Sequence, residues 1–273
     1  MNDDIQETDA ESASRYTVPA LARGLEILSY FTNERRILSG AQLAKMAGLP
    51  RASVFRMLQT LEQAGYLDRV GEPGTHPSYR LGVAVLRLGF EFLSSMELTE
   101  QGRPVLESLS DACGHSSHIV VRDGRDVVVV AKALGRLATF HAIQVGARLP
   151  AHATVLGRVL LGGSSLKDLE QLYAHHTMKS YTPTTATTPQ ALKSAVDEAA
   201  KEGIAVSQGG FESGISTLAA PVFDGDGKVC AAISVTVLSA RIAQETLPLL
   251  TIQVKEAAHM LTWRLKHSTG YRA

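Results

Sequence analysis

The chain has 273 residues, of which 45% are hydrophobic and 20% charged, and its formal net charge at pH 7 is zero. These values predict about two domains with a sizeable core and exclude a largely disordered chain. Its two cysteines, Cys113 and Cys230, form no CxxC pair, which excludes a zinc ribbon and a disulfide framework. No apolar run approaches the roughly 18 residues of a membrane span, so we expect a reduced, soluble, cytoplasmic protein with no membrane partner and no cofactor.

The charged residues are unevenly distributed along the chain. Residues 1–14 contain five acidic residues and no basic one, and residues 15–80 contain nine Lys/Arg against five Asp/Glu. We expect residues 1–15 to form a disordered tail. The basic excess of the second segment predicts DNA contact through a few side chains, with dimerisation doubling the phosphate contacts.

The first predicted element is a helix over residues 18–31. Leu21, Leu25 and Leu28 recur there at helical spacing. Arg23 lies on the polar face of this helix and is a candidate phosphate contact.

A short helix and a turn are predicted next. Residues 40–47 favour a helix because Ser39 can cap its free amides, and Gly48 can adopt the left-handed conformation that ends it. Gln42, in the first turn of this helix, is a candidate DNA contact.

The following helix, over residues 50–64, carries the clearest functional signal. Proline is tolerated in its first turn, and one face of the helix is apolar through Val54, Met57, Leu58 and Leu61. Arginine can contact phosphate or guanine, serine can donate to phosphate, and glutamine can pair with adenine. The remaining positions are therefore candidate major-groove contacts: Arg51, Ala52, Ser53, Arg56 and Gln59. Taken alone, this face is equally consistent with an ordinary solvated helix.

Two extended segments, residues 66–70 and 78–81, flank a loop that contains glycine and proline. This pattern is typical of the wing of a winged helix-turn-helix, which contacts the DNA backbone. Arg69, His76 and Arg80 are placed for that contact. The wing favours a DNA-binding domain over residues 16–81, with double-stranded DNA as its partner.

Residues 82–96 predict a helix that is apolar on more than one face. Val85, Leu88 and Phe92 share one stripe, and the other apolar side chains are Val83, Leu86, Phe90 and Leu93. Such a helix must be buried on several sides. We expect a linker helix covered by a second copy of the chain, although burial within one chain is equally consistent with the periodicity.

The remaining residues, 97–273, mix helices and strands. Helices are predicted over 98–113, 153–161, 166–174, 189–202 and 246–266, and strands over 118–121, 127–133, 139–145, 215–223 and 229–238. An antiparallel sheet flanked by helices gives an α+β architecture suited to holding a small ligand.

Several segments together resemble the IclR family of bacterial transcriptional regulators. They are "LARGLEIL", "GLPRASVFRMLQTLEQAGYL", "YRLG", "LPAHATVLGRVLL" and "AAPVFDGDGKVCAAISV", in this order. The resemblance implies a winged helix-turn-helix, a linker helix and a GAF-like C-terminal effector-binding domain. It also implies a homodimer or homotetramer on a palindromic DNA operator, with a small organic acid as the effector.

The resemblance further implies an effector pocket between the "HAT" segment and the facing strands. The residues that it assigns to the pocket are His152, Thr154, Val155, Leu156, Ser207, Gln208, Thr217, Ser234 and Thr236. Independently of any family, amides at a helix start suit a carboxylate, as at 155 and 156. The hydroxyls at 234 and 236 share one strand face because strand side chains alternate.

Three positions depart from the pattern of family members that bind the smallest acids. Those members tend to have a cysteine at 217, a carboxylate near 207–208 and small residues at 155–156. A different ligand is therefore expected. The segments "LARGL" and "LPAHAT" are more similar to the branch of the family that binds aromatic acids.

Other functions were weighed against a DNA-binding regulator. His115 and His118 form an HxxH motif that could ligate zinc with His141 or His152, although a core or pocket histidine is the favoured interpretation. An enzyme that acts on a small acid is the first alternative, but the sequence shows no nucleophile and base pairing. A sensor module that binds proteins instead of DNA is the second, and the arginines of the 50–64 helix fit it poorly.

Overall fold

The computed structural model of the chain describes residues 17–32, 34–71, 77–137 and 143–268. It contains two compact units, Met1–Phe92 and Leu93–Ala273. No helix in the described ranges is long and apolar enough to cross a membrane. The expected tail, residues 1–15, lies outside the described residues.

The first unit is a winged helix-turn-helix, as the sequence predicted. Its helices are α1 (Pro19–Ser29), α2 (Gly40–Ala47) and α3 (Arg51–Gln63), and its strands are β1 (Leu38–Ser39), β2 (Leu67–Val70) and β3 (Ser78–Leu81). The strands form an antiparallel sheet in the order β1-β3-β2. Residues 72–76 of the wing loop, His76 among them, lie outside the described residues.

Local hydrogen bonds define the start and the end of α2. The Ser39 hydroxyl accepts a hydrogen bond from the Gln42 amide (3.3 Å), and the Gln42 side chain accepts one from the Ser39 amide (2.8 Å). This reciprocal pair is a capping box. Gly48 then has a φ of 64°, which glycine adopts without the steric cost that a Cβ would add.

The core of the first unit includes Ile27 and Leu58. Of the leucines whose spacing predicted α1, only Leu28 packs against this core, because Leu21 and Leu25 are 62% and 59% exposed. The sequence of α1 carries two overlapping apolar stripes, and packing against the other helices selects the one that contains Ile27.

Helix α4 (Ala84–Ser95) contains no buried residue in this structure of one chain. Leu86 is 71% exposed and Phe90 is 65% exposed. Neither unit by itself therefore buries a residue of this helix.

The second unit is built on a six-stranded antiparallel sheet in the order β6-β5-β4-β9-β8-β7. Its strands are β4 (Ser116–Asp123), β5 (Asp126–Ala133), β6 (Arg148–Pro150), β7 (Ala205–Gln208), β8 (Ser216–Phe223) and β9 (Val229–Val237). Its helices are α5 (Glu97–Cys113), α6 (Val155–Leu160), α7 (Leu166–Leu172), α8 (Pro189–Glu202) and α9 (Leu247–His267).

Different helices cover the two faces of this sheet. Helices α5 and α9 share a core with Ile119 and Ile233, whereas α6, α7 and α8 share a core with Val120 and Ala232. Neighbouring strand residues thus point to opposite faces. The expected α+β, GAF-like antiparallel sheet flanked by helices is confirmed.

The second unit also differs from the sequence prediction. The strand expected at 139–145 is wrong in its described part, because Gln144 and Ala147 close a turn (3.0 Å) and Gly146 has a φ of 86°. Residues 139–142 lie outside the described residues. The helix expected from residue 153 begins at Val155, after a 3₁₀ turn at Ala151–Ala153. Strands β6 and β7 were missed because such short segments carry no alternation signal.

Candidate functional site

One face of α3 is exposed along its whole length. Ala52, Phe55, Arg56 and Gln59 recur at helical spacing on this face, with Arg51 beside them. The opposite side of α3 is held in the core by Val54 and Leu58, and Ser53 is half-buried between the two sides. Of the candidate contacts on this helix, Arg51, Ala52, Arg56 and Gln59 are thus exposed, and Ser53 is less accessible than its neighbours.

Phe55 also lies on this exposed face, although it was not among the candidate contacts of the sequence analysis. Its side chain is 48% exposed. The signal was its position, three residues after Ala52 and next to Arg56 on the polar face. An exposed phenyl ring there is suited to apolar contact with a thymine methyl group.

The candidate basic contacts differ in how freely they can reach DNA. Arg51 and Arg56 are exposed, and neither has an ion pair within the part of the chain that the structure describes. Arg23 is also exposed, on α1. Gln42 is exposed, but its carboxamide oxygen is occupied by the capping box, which leaves its NH₂ group to donate.

The two arginines of the wing are paired with carboxylates. Arg69 lies 3.3 Å from Glu62, and Arg80 lies 3.2 Å from Asp68. Exposed pairs of this kind contribute only about 0–1 kcal/mol to stability. A DNA phosphate can therefore replace either carboxylate at little cost.

A cavity lies in the second unit between the sheet and the start of α6. Its volume is about 80 Å³. On the same scale a single water molecule occupies roughly 10–15 Å³, so the cavity is several times larger than one water. The space therefore suits one small organic molecule. Most of the expected effector residues line it, namely Thr154, Val155, Leu156, Ser207, Thr217, Ser234 and Thr236.

The strand register explains why polar groups meet in this cavity. Ser207 of β7 pairs with Thr217 of β8, and Thr217 pairs with Thr236 of β9. Ser234, two residues before Thr236, pairs with His118 of β4. Directly paired residues share a face, so these five side chains form a polar strip on the side of the sheet that α6 covers.

Two expected effector residues do not line the cavity. His152 Nε2 lies 2.9 Å from the Lys179 carbonyl oxygen, and the His152 ring makes an edge contact with Tyr173. The Gln208 side-chain oxygen accepts a hydrogen bond from the Ile242 amide (3.0 Å). Both side chains instead anchor the segments that border the cavity.

The start of α6 is fixed by Thr154 and Gly157. The Thr154 hydroxyl accepts a hydrogen bond from the Gly157 amide (3.2 Å), and a Cβ at Gly157 would overlap the Ala151 carbonyl group. The amides of Val155 and Leu156 belong to the first helical turn, where amides lack intrahelical acceptors. Because α6 has only six residues, its dipole adds little to these amides.

His118 and Glu212 also line the cavity, although neither was among the expected effector residues. His118 is 2% exposed, and its Nε2 has no hydrogen-bond partner within the described residues. Burial, and secondarily the positive charge of Lys132, lowers the pKa of His118 to about 4. The HxxH motif drew attention to His118, but only the β4–β9 register places it in the cavity.

The arrangement does not bring together the other chemistries that were weighed. No group of three His, Cys, Asp or Glu side chains in the described part of the chain could hold a metal ion, and His141 lies outside that part. Within the described residues, the Nε2 atom of His118 has no hydrogen-bond partner, so it does not bond the hydroxyl of the paired Ser234 as a base that activates this hydroxyl would.

A wider groove of about 900 Å³ lies near the other ends of these strands. It is open, and Arg122, Gly162, Lys228 and His259 are among its lining residues. None of the expected effector residues lines it. The smaller, more enclosed cavity is therefore the candidate effector site.

Comparison with known proteins decides the family. The model described as "Bacterial transcriptional regulator IclR C-terminal" matches residues 90–263, and the "IclR helix-turn-helix domain" model matches residues 20–71. The chain belongs to the IclR family. It is a transcriptional regulator with a helix-turn-helix DNA-binding domain and an IclR-type effector domain.

Individual IclR-family proteins match nearly the whole chain. The chain is 30% identical to the HTH-type transcriptional regulator XynR of Escherichia coli (strain K12), covering 94% of this chain and 99% of that protein. An IclR regulator from Silicibacter sp. TM1040 has 28% identity and a TM-score of 0.77, over 91% of this chain and 97% of the other. An IclR homolog from Microbacterium hydrocarbonoxydans, solved with 4-hydroxybenzoate, shares the fold at 24% identity and a TM-score of 0.75, over 91% and 100% of the two chains.

The lowered pKa of His118 predicts a pH dependence of stability. The unfolded chain binds a proton at this histidine below about pH 6.5, whereas the folded chain does so only near pH 4. The contribution of His118 is therefore complete above about pH 6.5 and is lost as the pH falls toward 4. Between about pH 7.5 and pH 4.5, the free energy of unfolding should fall about 2–3 kcal/mol more in the wild type than in His118→Gln. Urea unfolding followed by the fluorescence of Trp263 measures this, and equal losses in the two proteins would contradict it.

Proposed function

We propose that this IclR-family chain is a ligand-responsive regulator that reads operator DNA with α3 and binds a small organic acid in the cavity of its second unit. The observation that carries the proposal is the exposed strip of α3, with Arg51 and Arg56 free of carboxylates in the described structure. The enclosed cavity, with its strip of hydroxyl groups in an otherwise apolar lining, supplies the ligand-binding part of the same proposal.

The proposed DNA contacts divide into two kinds. Arg51, Arg56 and Gln59 are suited to base edges and phosphates in the major groove, and Ala52 and Phe55 are suited to thymine methyl groups. The other contacts are to the sugar-phosphate backbone, and they come from Arg23, Gln42, Ser53, Arg69 and Arg80. The two arginines of the wing would exchange their carboxylate partners for phosphates.

The proposed acid site uses the hydroxyl groups of the polar strip. Thr217 and Thr236 can donate hydrogen bonds to a carboxylate, and the amides of Val155 and Leu156 can add to them. Ser234 can bond a second polar group of the ligand. The apolar side chains around the strip suit a hydrocarbon or aromatic body, and they are Val120, Val129, Ile143, Leu149, Phe211 and Ile215. An acid of this size, including an aromatic one, fits the cavity chemically.

We propose that the protein works as a homodimer or homotetramer in the cytoplasm. Residues 16–81 would form the DNA-binding domain, residues 82–96 a linker helix that also pairs two copies, and residues 97–273 the effector domain. The exposed apolar side chains of α4 support this assignment because large exposed patches mark interaction surfaces. The two DNA-binding domains of a dimer must lie about 34 Å apart on one face of the duplex, so a small change in this separation alters the affinity for DNA.

DNA binding is tested first by substituting Arg56. An operator can be selected from random duplexes with the wild-type chain, and its affinity measured by fluorescence anisotropy at fixed salt. Arg56→Ala should weaken binding by about 1–3 kcal/mol, because one arginine contact to a base or phosphate is lost. Lys167→Ala removes a positive charge that is also exposed, but in the second unit, and should leave the affinity nearly unchanged. Failure to select any duplex that binds more tightly than random DNA would contradict the proposed function.

The pairing of two copies through α4 is tested by placing charge on its apolar face. In the double variant L86E/F90E, carboxylates would have to be buried in the interface, so the oligomer should dissociate. Light scattering coupled to size-exclusion chromatography should then give a smaller mass than for the wild type. Arg87→Glu, on the same helix, should leave the mass unchanged. A double variant with the wild-type mass would remove α4 from the interface.

A further inference from the structure

His118 stands out among the described residues of the effector cavity because the protein leaves its Nε2 atom without a hydrogen-bond partner. The ring lies on β4, between Lys132 on the neighbouring strand β5 and Ser234 on β9. Buried polar atoms in folded proteins almost always have a partner. A molecule in the cavity can therefore complete the hydrogen bonding of this side chain.

The charge state of His118 limits what that molecule can present to it. Burial and the nearby ammonium group of Lys132 disfavour the imidazolium form, so the ring is neutral at pH 7. A neutral imidazole offers no charge to a carboxylate, but it forms hydrogen bonds with uncharged groups such as a hydroxyl.

The distance between the polar pairs along β9 indicates how far apart the two polar groups of the ligand lie. The His118–Ser234 pair and the Thr217–Thr236 pair lie two residues apart along β9, and two residues of a strand span roughly 7 Å. A single ring with polar groups on opposite carbons covers a comparable distance. Apolar side chains such as Val155 and Leu156 face the space between.

We propose that the effector is a monocarboxylic acid with an uncharged hydroxyl about one ring length from the carboxylate, and that His118 selects for this hydroxyl. The carboxylate is held by the threonine pair, and the hydroxyl meets the Nε2 atom of His118. This proposal rests on the proposed use of the cavity as an acid site.

Isothermal titration calorimetry of the full chain with benzoate and with 4-hydroxybenzoate tests the proposal. The wild type should bind 4-hydroxybenzoate about tenfold more tightly, the ratio expected from one hydrogen bond in a buried site. His118→Phe should abolish this preference, and His118→Gln, which keeps a hydrogen-bonding group, should restore part of it. His115→Phe is the matched control, because His115 does not line the cavity, and it should keep the full preference.

Two results would overturn the selection by His118: equal affinity of the wild type for the two acids, or an undiminished preference in a folded His118→Phe. The first needs no variant, so the proposal stays testable if His118→Phe does not fold. Binding of neither acid by the wild type is a different result, which would contradict the proposed acid site itself. Binding of both acids with equal affinity would leave the acid site standing and remove only the role of His118.

Discussion

The pairing of β4 with β9 is the constraint on which the effector site depends. Side chains alternate between the two faces of a strand, so this register decides which residues enter the cavity and which enter the core. It places His118 opposite Ser234 on the cavity side and Ile119 opposite Ile233 on the side of α5 and α9. A slip of one residue would exchange these sets, burying hydroxyls in an apolar core and filling the cavity with isoleucine. The apolar contacts of the α5 and α9 core therefore determine where the polar strip lies.

In the DNA-binding unit, the two sides of α3 likewise have different roles. Val54 and Leu58 bury one side of the helix, and this packing turns Arg51, Phe55 and Arg56 outward. Charged side chains on that surface can exchange water or carboxylate partners for phosphate at low cost, because exposed ion pairs are weak. The recognition surface is thus a consequence of core packing, combined with the capping box and the left-handed glycine that fix the preceding turn.

Local signals in the sequence were enough to predict the helices and the two wing strands of the first unit, but not the two-residue strand β1, and most helices of the second unit. Caps, glycine turns and periodicity act within a few residues, so they can be read without knowledge of the fold. The sequence could not show which face of α1 enters the core. This helix has two overlapping apolar stripes, and only packing against the other helices selects one of them. The short strands β6 and β7 exist because longer neighbours offer them edges. His118 and Glu212 enter the cavity through pairing and loop placement that are not visible in the sequence, whereas the threonine and serine positions came from the family resemblance.

We expect a ligand in the cavity to change the affinity of α3 for DNA. DNA binding must then change the affinity for the ligand by the same factor. The most direct measurement is the affinity of the full chain for its selected duplex, at fixed salt, with and without saturating 4-hydroxybenzoate. The DNA affinity should change about fivefold or more, and the affinity for the acid should change by the same factor when the duplex is bound. An acid that binds in the cavity while leaving the DNA affinity unchanged would contradict this expectation.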